Sequence, residues 1–564
     1  MTKANMVRNA LLGLTLVALS AGTGEARTRY VSKNNIGALL PYTNWTTAAA
    51  HIQQALDACS PGDLVVVSNG IYDLGARISP GGSLTNRVVI PNFVWVQSVN
   101  GAQFTGITGA AAPSPSPTNE NLAVRCVYLG NGAKLIGFTL SNGHTLVTTG
   151  SQSDKSGGAA YAWGAELRDC EIRSNTAALY GGGVYGGTVN NCTILGNVVY
   201  GGGGGVHSAT LNNCTLQSNS ALDGELYGTA VGGGASLSWL INCTVLHNLA
   251  SYGGGGTYGG TLSNCVVGGN SGPRYGGGVC GSTVMSCTLT NNQASEEGGG
   301  AYQGWLTNCT LRGNTSTRGG GAARAGLREC SLASNSAIDS GGGVFESGLT
   351  NCVLFGNSAI QAGGAMHGSL VNCTLYGNSA LTNGGASGAS LYNCIAYQNL
   401  APANPDLEPG DYFFTCSPLL SGNGCITNNP QFVNAPAGNL RLQPGSPCRN
   451  VGGNLAWMNS SVDLDGHPRI NDGIVDMGAY ESGSVSLPAS MDIWLVASQS
   501  HVVLRWASEA GASYRIHQAN DLTAVPSWSS LASNLAATPP QNTYTDFNAT
   551  VLSPRRFYRL QQTQ

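Results

Sequence analysis

The sequence predicts an all-β chain, a parallel β-helix of about 22 residues per coil followed by a small C-terminal β-sandwich. Three observations carry this. Eleven cysteines recur at near-constant spacing, glycine runs separate the segments between them, and residues 485–564 alternate apolar strands with polar turns.

The chain has 564 residues, enough for two or three domains or a long repeat array. Only 9% of residues are charged, at a formal net charge of −3. A nucleic-acid binder, which needs clustered Lys and Arg, is excluded. Low charge with this aliphatic content indicates a packed interior, not disorder. Residues 1–26 read as a secretory signal peptide: Lys3 and Arg8, the apolar stretch Ala10–Ala21, then Gly24-Glu25-Ala26 before the cleavage point. The apolar stretch is shorter than the roughly 20 residues of a spanning helix. Export to the cell surface or medium is therefore expected, with no membrane span once the signal is removed.

The cysteines stand at 170, 192, 214, 243, 265, 287, 309, 330, 352, 373 and 394, a step of 21 or 22 broken once by a seven-residue insertion near Asp223. Asn follows each by five residues, from Asn175 to Asn399, and Leu or Val precedes each by three, from Leu167 to Leu391. Such self-similarity marks a repeat architecture. A 22-residue unit is too short for two packed helices, and its glycines would break them. Thr after Cys suits a strand face. The unit is one coil, stacked on the next at about 4.8 Å. Each Cys then points inward as a small apolar side chain in a column. That spacing exceeds the roughly 3.8 Å between Cβ atoms of a disulfide. No CxxC occurs, and a uniform column lacks tetrahedral metal geometry. The asparagines are expected to form a hydrogen-bonded ladder, each bond contributing about 0.5–1.5 kcal/mol. Glycines serve the bends, where positive φ favours them. Cys59, Cys126, Cys280, Cys416, Cys425 and Cys448 lie outside the column. Cys280 falls in the outward row, and Cys416 with Cys425 or Cys448 is the expected disulfide in an exported protein.

The organisation follows: signal 1–26, N-terminal cap and irregular coils 27–160, regular coils 161–400, a closing region 401–483, and a sandwich 485–564. The unit L-x-G-N-S-A-x-x-x-G-G-A, as in Leu354–Asn357 followed by Gly363-Gly364-Ala365-Met366, resembles the repeat of chlamydial polymorphic outer membrane proteins, with an aliphatic in place of Phe. Residues 30–75 (PYTNWTTAAAHIQQALDACSPGDLVVVSNGIY) are similar to the opening of right-handed, pectin-lyase-like β-helices. That resemblance implies a capping helix over Thr46–Ala58, with Ile52, Ala55 and Leu56 on one face, and a first strand at Leu64–Val67. Residues 429–481 (NPQFVNAPAGNLRLQPGSPCRN…VDLDGHPRINDGIVDMGAYE) resemble the choice-of-anchor Q region of secreted bacterial β-helix proteins, which implies closure of the solenoid. The tail (HVVLRWAS, SYRIHQAN, NTYTDFN, RRFYRLQ) reads as a fibronectin-III or immunoglobulin-like module that binds or spaces.

Aligned on the cysteines, the position six residues earlier is mostly Gly (164, 186, 259, 281, 388) but becomes Gln303, Arg324, Glu346 and His367 in four consecutive units. Stacking would bring Arg324, Glu346 and His367 together, with Tyr302, Phe345, Tyr258 and Tyr185 one residue earlier as aromatic surface for a sugar ring. The simpler reading is an ion-pair row on a solvated face, each pair contributing about 0–1 kcal/mol. A second row, Glu296, Arg318 and Asp339, alternates in sign. Calcium-dependent lyases need several acidic ligands and a base, yet Asp169, Asp223 and Asp339 are the only aspartates between 160 and 400. Glycosidases need two carboxyls about 5–10 Å apart, and Asp339 is the nearest candidate partner for Glu346. DLDGHPR at 463–469 is the only candidate calcium loop, set against a simple turn, and no cofactor is otherwise expected. The expected function is an exported, non-catalytic surface or matrix protein binding polysaccharide or a cell-surface ligand through Tyr302, Gln303, Phe345, Tyr258 and Tyr185. The alternative is a polysaccharide lyase or glycoside hydrolase using Arg324, Glu346 and His367.

Overall fold

The computed structural model describes residues 26–33, 35–112, 122–224, 230–418 and 420–482, and six strands between 491 and 562. The expected signal thus lies almost wholly outside the described residues. The chain forms two compact units, Met1–Thr244 and Val245–Gln564.

In the first unit, each coil contributes one strand to a parallel sheet running from Thr28–Val31 through Leu64–Val67, Trp95–Ser98, Lys134–Ile136, Glu166–Arg168 and Thr188–Asn190 to Thr210–Asn212. A second parallel sheet runs from Gly70–Tyr72 to Thr215–Gln217, and a third joins Thr176–Ala177, Val198–Val199 and Ser220–Ala221. The second unit repeats the plan. Its sheets run from Thr257–Ser263 to Ala386–Tyr392, from Val266–Gly268 to Ile395–Tyr397, and from Ser271–Gly272 to Ser336–Ser340. The aliphatics three before each Cys form the core. Leu167, Val189 and Leu211 are fully buried, each contributing about 1.5–3 kcal/mol.

The cysteines do stack, and they do more than fill space. The residue before each Cys takes a left-handed conformation, as at Asn191, Asn213, Asn264 and Asn308 (φ 52–54°), which Asn tolerates well. That corner turns the Cys amide inward, and the next coil's sulfur accepts it: Cys170 N–H to Cys192 Sγ, 3.3 Å; Cys265 N–H to Cys287 Sγ, 3.2 Å. Each thiol donates in turn to the carbonyl two residues earlier, 3.2 Å for Cys170. A buried amide needs an acceptor, and the thiol is small enough to supply one.

The Asn ladder is equally regular. Nδ2 of one Asn donates to Oδ1 of the next at 2.9–3.0 Å, as from Asn175 to Asn197 and from Asn292 to Asn314. In the second unit it ends on a group the periodicity did not announce: Asn399 donates to Asp406 Oδ1 at 2.9 Å.

Three expectations need correction. The cap helix spans only Ile52–Leu56. Ala49 instead bonds as a strand to Tyr30 and Ser32 (both 2.9 Å) and covers the first strand's edge; Ile52, Ala55 and Leu56 are buried as anticipated. All seventeen cysteines are free thiols, so the Cys416 disulfide is absent; Cys416 donates to Asn428 O and Cys425 to Tyr412 O instead. Cys280 does fall in the row of Tyr258 and Tyr302, yet it is buried there.

The closing region packs back along the coils. Asn351 Nδ2 donates to Val462 O (2.7 Å), Asn393 Nδ2 to Gly453 O (3.0 Å), and Ala479 N–H to Thr374 Oγ1 (3.0 Å). Beyond it, Met491–Val496, His501–Ala507 and Gln541–Asp546 form one antiparallel sheet and Ser513–Ala519, Ser529–Ala536 and Phe557–Gln562 another. Leu504, Trp506, Tyr514, Ile516 and Leu560, drawn from both sheets, share one apolar cluster.

Candidate functional site

The position six before each Cys is left-handed in every coil, inside a strand at Gly259, Gln303, Glu346, His367 and Gly388 and in a short break between two strands at Gly164, Gly186 and Arg324. Where it is glycine, φ is 76° at Gly164, 64° at Gly259 and 61° at Gly388. Gln303, Arg324, Glu346 and His367 adopt the same conformation, at 53°, 54°, 45° and 57°. Left-handed backbone costs a residue with a Cβ about 1–2 kcal/mol. Four polar side chains are therefore held in a conformation that glycine would adopt without strain, and such strain concentrates at functional positions.

Of these, Arg324 and Glu346 meet, Nη1 to Oε2 at 2.5 Å. His367 does not join them; its ring stands edge-on to Phe345 at 6.2 Å, and among the described residues no ion pair links it to Glu346. Phe345 is itself buried, with the Arg318 and Arg324 guanidiniums 5.2 and 5.7 Å from its ring centre. Tyr302 is half-buried, stacked on Tyr275 at 4.5 Å, and Gln303 Nε2 lies 3.5 Å from its hydroxyl. Tyr258 and Tyr185 are also half-buried, and Tyr185 belongs to the first unit.

The second carboxylate on Arg324 is Glu297, not Asp339. Its Oε2 accepts from Arg324 Nε at 2.8 Å, and its Oε1 lies 2.8 Å from Arg318 Nη2. Glu297 is 3% exposed, so two cations are what make its burial tolerable. The expected row Glu296–Arg318–Asp339 is displaced by one residue: the bridge pairs Arg318 with Glu297 and with Ser340, while Glu296 turns to Arg274 at 3.5 Å. Bonding to Glu297 also raises the Arg324 pKa, keeping its charge fixed.

Beside this cluster lies a groove of about 750 Å³, lined among others by Trp305, Arg324, Gly326, Arg328, Glu346 and Gly348. Trp305 is 71% exposed. Its ring lies on Gly326 of the next coil, where a Cβ would sit 2.3 Å from ring atoms, and Gly348 one coil farther leaves open space. The absence of side chains at these two positions forms the floor. Trp305 was missed because its column holds mostly Thr, Ser and Gly, with Glu166 and Trp239 the other exceptions; its signal was a large apolar residue on an outward strand position.

A bare aromatic face next to fixed charges suits a flat, hydroxyl-rich ring. Hydrolysis would use two carboxyls, but of the two on Arg324 only Glu346 lines the groove. Glu297 lies beneath, held by both guanidiniums. In the closing region, Asp463, Asp465 and His467 place ligand atoms within 4.8 Å of one another. Arg441 takes both oxygens of Asp465 at 2.6 Å, and Asp463 accepts the amides of Asp465, His467 and Glu481 at 2.8–2.9 Å. These donors serve a turn and do not fit a calcium shell.

Comparison with known proteins agrees with this architecture. Residues 156–316 match the family described as the right-handed beta helix region. The coils form a right-handed parallel β-helix. No curated protein matches the sequence. Among solved structures, a pectate lyase is 12% identical (TM-score 0.23, covering 81% of this chain and 97% of that one). A rhamnogalacturonan lyase is 11% identical (0.23, 81% and 96%) and an alginate lyase mutant 11% (0.29, 78% and 58%). At these values no activity attaches to the present chain.

Proposed function

We propose that the chain is an exported, non-catalytic surface or matrix protein that binds polysaccharide in the Trp305 groove. The observation that carries this reading is the exposed indole lying on a glycine floor beside an oriented Arg324–Glu346 pair. Sugar rings stack on the indole while the pair and Arg328 bond hydroxyls. The strand modules after residue 490, of fibronectin-III-like character in sequence, assist attachment. Affinity electrophoresis against soluble neutral and acidic polysaccharides tests binding, and chromatography of the same mixtures tests cleavage. Retarded migration with no shortened product is expected; no retardation by any polysaccharide sinks the reading.

Arg324 and Glu346, paired at 2.5 Å and both lining the groove, favour a second reading, a lyase or hydrolase. Cleavage that disappears in Glu346→Gln would establish it in place of the first.

A further inference from the structure

The first unit builds a comparable groove from different residues. Lys134 and Glu166 pair across adjacent coils, Nζ to Oε2 at 3.2 Å. Arg168 lies 2.5 Å from the same carboxylate, and the Asn190 amide donates to it at 2.9 Å. Two indoles stay exposed around them, Trp163 at 58% and Trp95 at 45%. Trp163 lies over Gly186 of the next coil, where a Cβ would fall 2.8 Å from a ring carbon, and stacks on Tyr185 at 5.9 Å. Lys134 Nζ stands 4.5 Å from the Trp95 ring centre. Lys134, Gly164, Glu166, Gly187 and Asn190 line a groove of about 400 Å³.

We propose that this groove is a second saccharide site, selective for an acidic polysaccharide. It rests on the reading of the Trp305 groove as a sugar platform, because both consist of an exposed indole on a neighbouring coil's glycine beside a fixed carboxylate–cation set. A surface ion pair alone requires no exposed indoles. The selectivity follows from charge: Lys134 and Arg168 share the single carboxylate of Glu166, which leaves one positive charge over. A sugar carboxylate beside Lys134 meets that charge while the ring covers Trp163.

Titration calorimetry of the full chain with short acidic oligosaccharides (galacturonate, mannuronate and hyaluronan fragments) tests this. Two sites per chain are expected, falling to one in Trp163→Ala and in Lys134→Ala, with unchanged thermal unfolding as the control for folding. Trp305→Ala removes the other site. Were the Trp163 and Lys134 variants to bind like the parent, this site would be refuted while the Trp305 reading stood. Binding lost in Trp163→Ala but indifferent to Trp305→Ala would support this site and refute the other. Two sites that take neutral xylan oligosaccharides as tightly would overturn the charge selectivity.

Discussion

A histidine at φ 57° or a glutamate at 45° is a residue-scale fact with two consequences. The first is stability. His367→Gly exchanges a strained conformation for one glycine adopts freely, so unfolding in urea should show a gain of about 0.5–1 kcal/mol, the strain relieved less the greater freedom of the unfolded chain. A loss instead would mean that the edge contact with Phe345 outweighs the strain. The second is binding, which depends on the neighbour the sequence did not single out. Trp305→Ala should weaken polysaccharide binding about tenfold, equivalent to about 1.4 kcal/mol, and leave the fold intact because the ring is 71% exposed. Undiminished retardation in affinity gels would remove Trp305 from the site. Alignment on the cysteines did bring Arg324 and Glu346 together, because they share a column. It could not find Glu297, whose contact with Arg324 crosses from one turn to another, nor tell Glu297 from Glu296, since one residue of register decides which carboxylate is buried.

At the scale of the element, stability resides in the ladders. Asn292 accepts from Asn270 N–H and Nδ2 (3.1 and 3.0 Å) and donates to Val267 O and Asn314 Oδ1 (both 3.0 Å). Asn292→Ala strands those buried partners and should cost about 3 kcal/mol; a loss below 1 kcal/mol in urea unfolding would show that the ladder is ornamental. These ladders were legible because a period repeats them. Asp406, which terminates one, was not, since it lies outside the period. A second element, the ring stack Tyr128–Tyr161–Tyr185–His207 with spacings of 5.2–5.6 Å, carries a pH dependence. His207 is 6% exposed, its Nδ1 has no partner among the described residues, and burial pushes its pKa down to about 4. Above the ordinary value of 6.5 the ring is neutral folded or unfolded. As pH falls from there towards 4, the unfolded chain takes up a proton that the folded one refuses, so stability is lost across that window. Thermal unfolding of His207→Phe should fall less steeply between pH 6.5 and 4 than the parent; parallel curves would count against it.

For the whole molecule, the decisive quantity is the state of its sulfur. Fifteen of seventeen thiols are buried, all but the half-buried Cys59 and Cys425. Reaction requires a thiolate, and burial raises the pKa of Cys59 to about 11 and of Cys126 and Cys280 to about 12. Within the column, hydrogen bonds from neighbouring sulfurs push Cys214 down instead, so it is burial that shields the folded chain's thiols from oxidants. The unfolded chain exposes all seventeen at once, and nothing in its sequence distinguishes one column cysteine from the next. The export proposed above would therefore place folding in competition with random pairing in an oxidising compartment. A thiol-reactive chromophore should count no more than two groups quickly in the native protein and seventeen in denaturant. Refolding should succeed with reductant and fail with oxidised glutathione, yielding scrambled disulfides by mass mapping. Rapid native labelling of Cys287, or equal recovery in both buffers, would contradict a core whose column holds only while its sulfurs remain thiols, each one accepting the amide of the coil beside it.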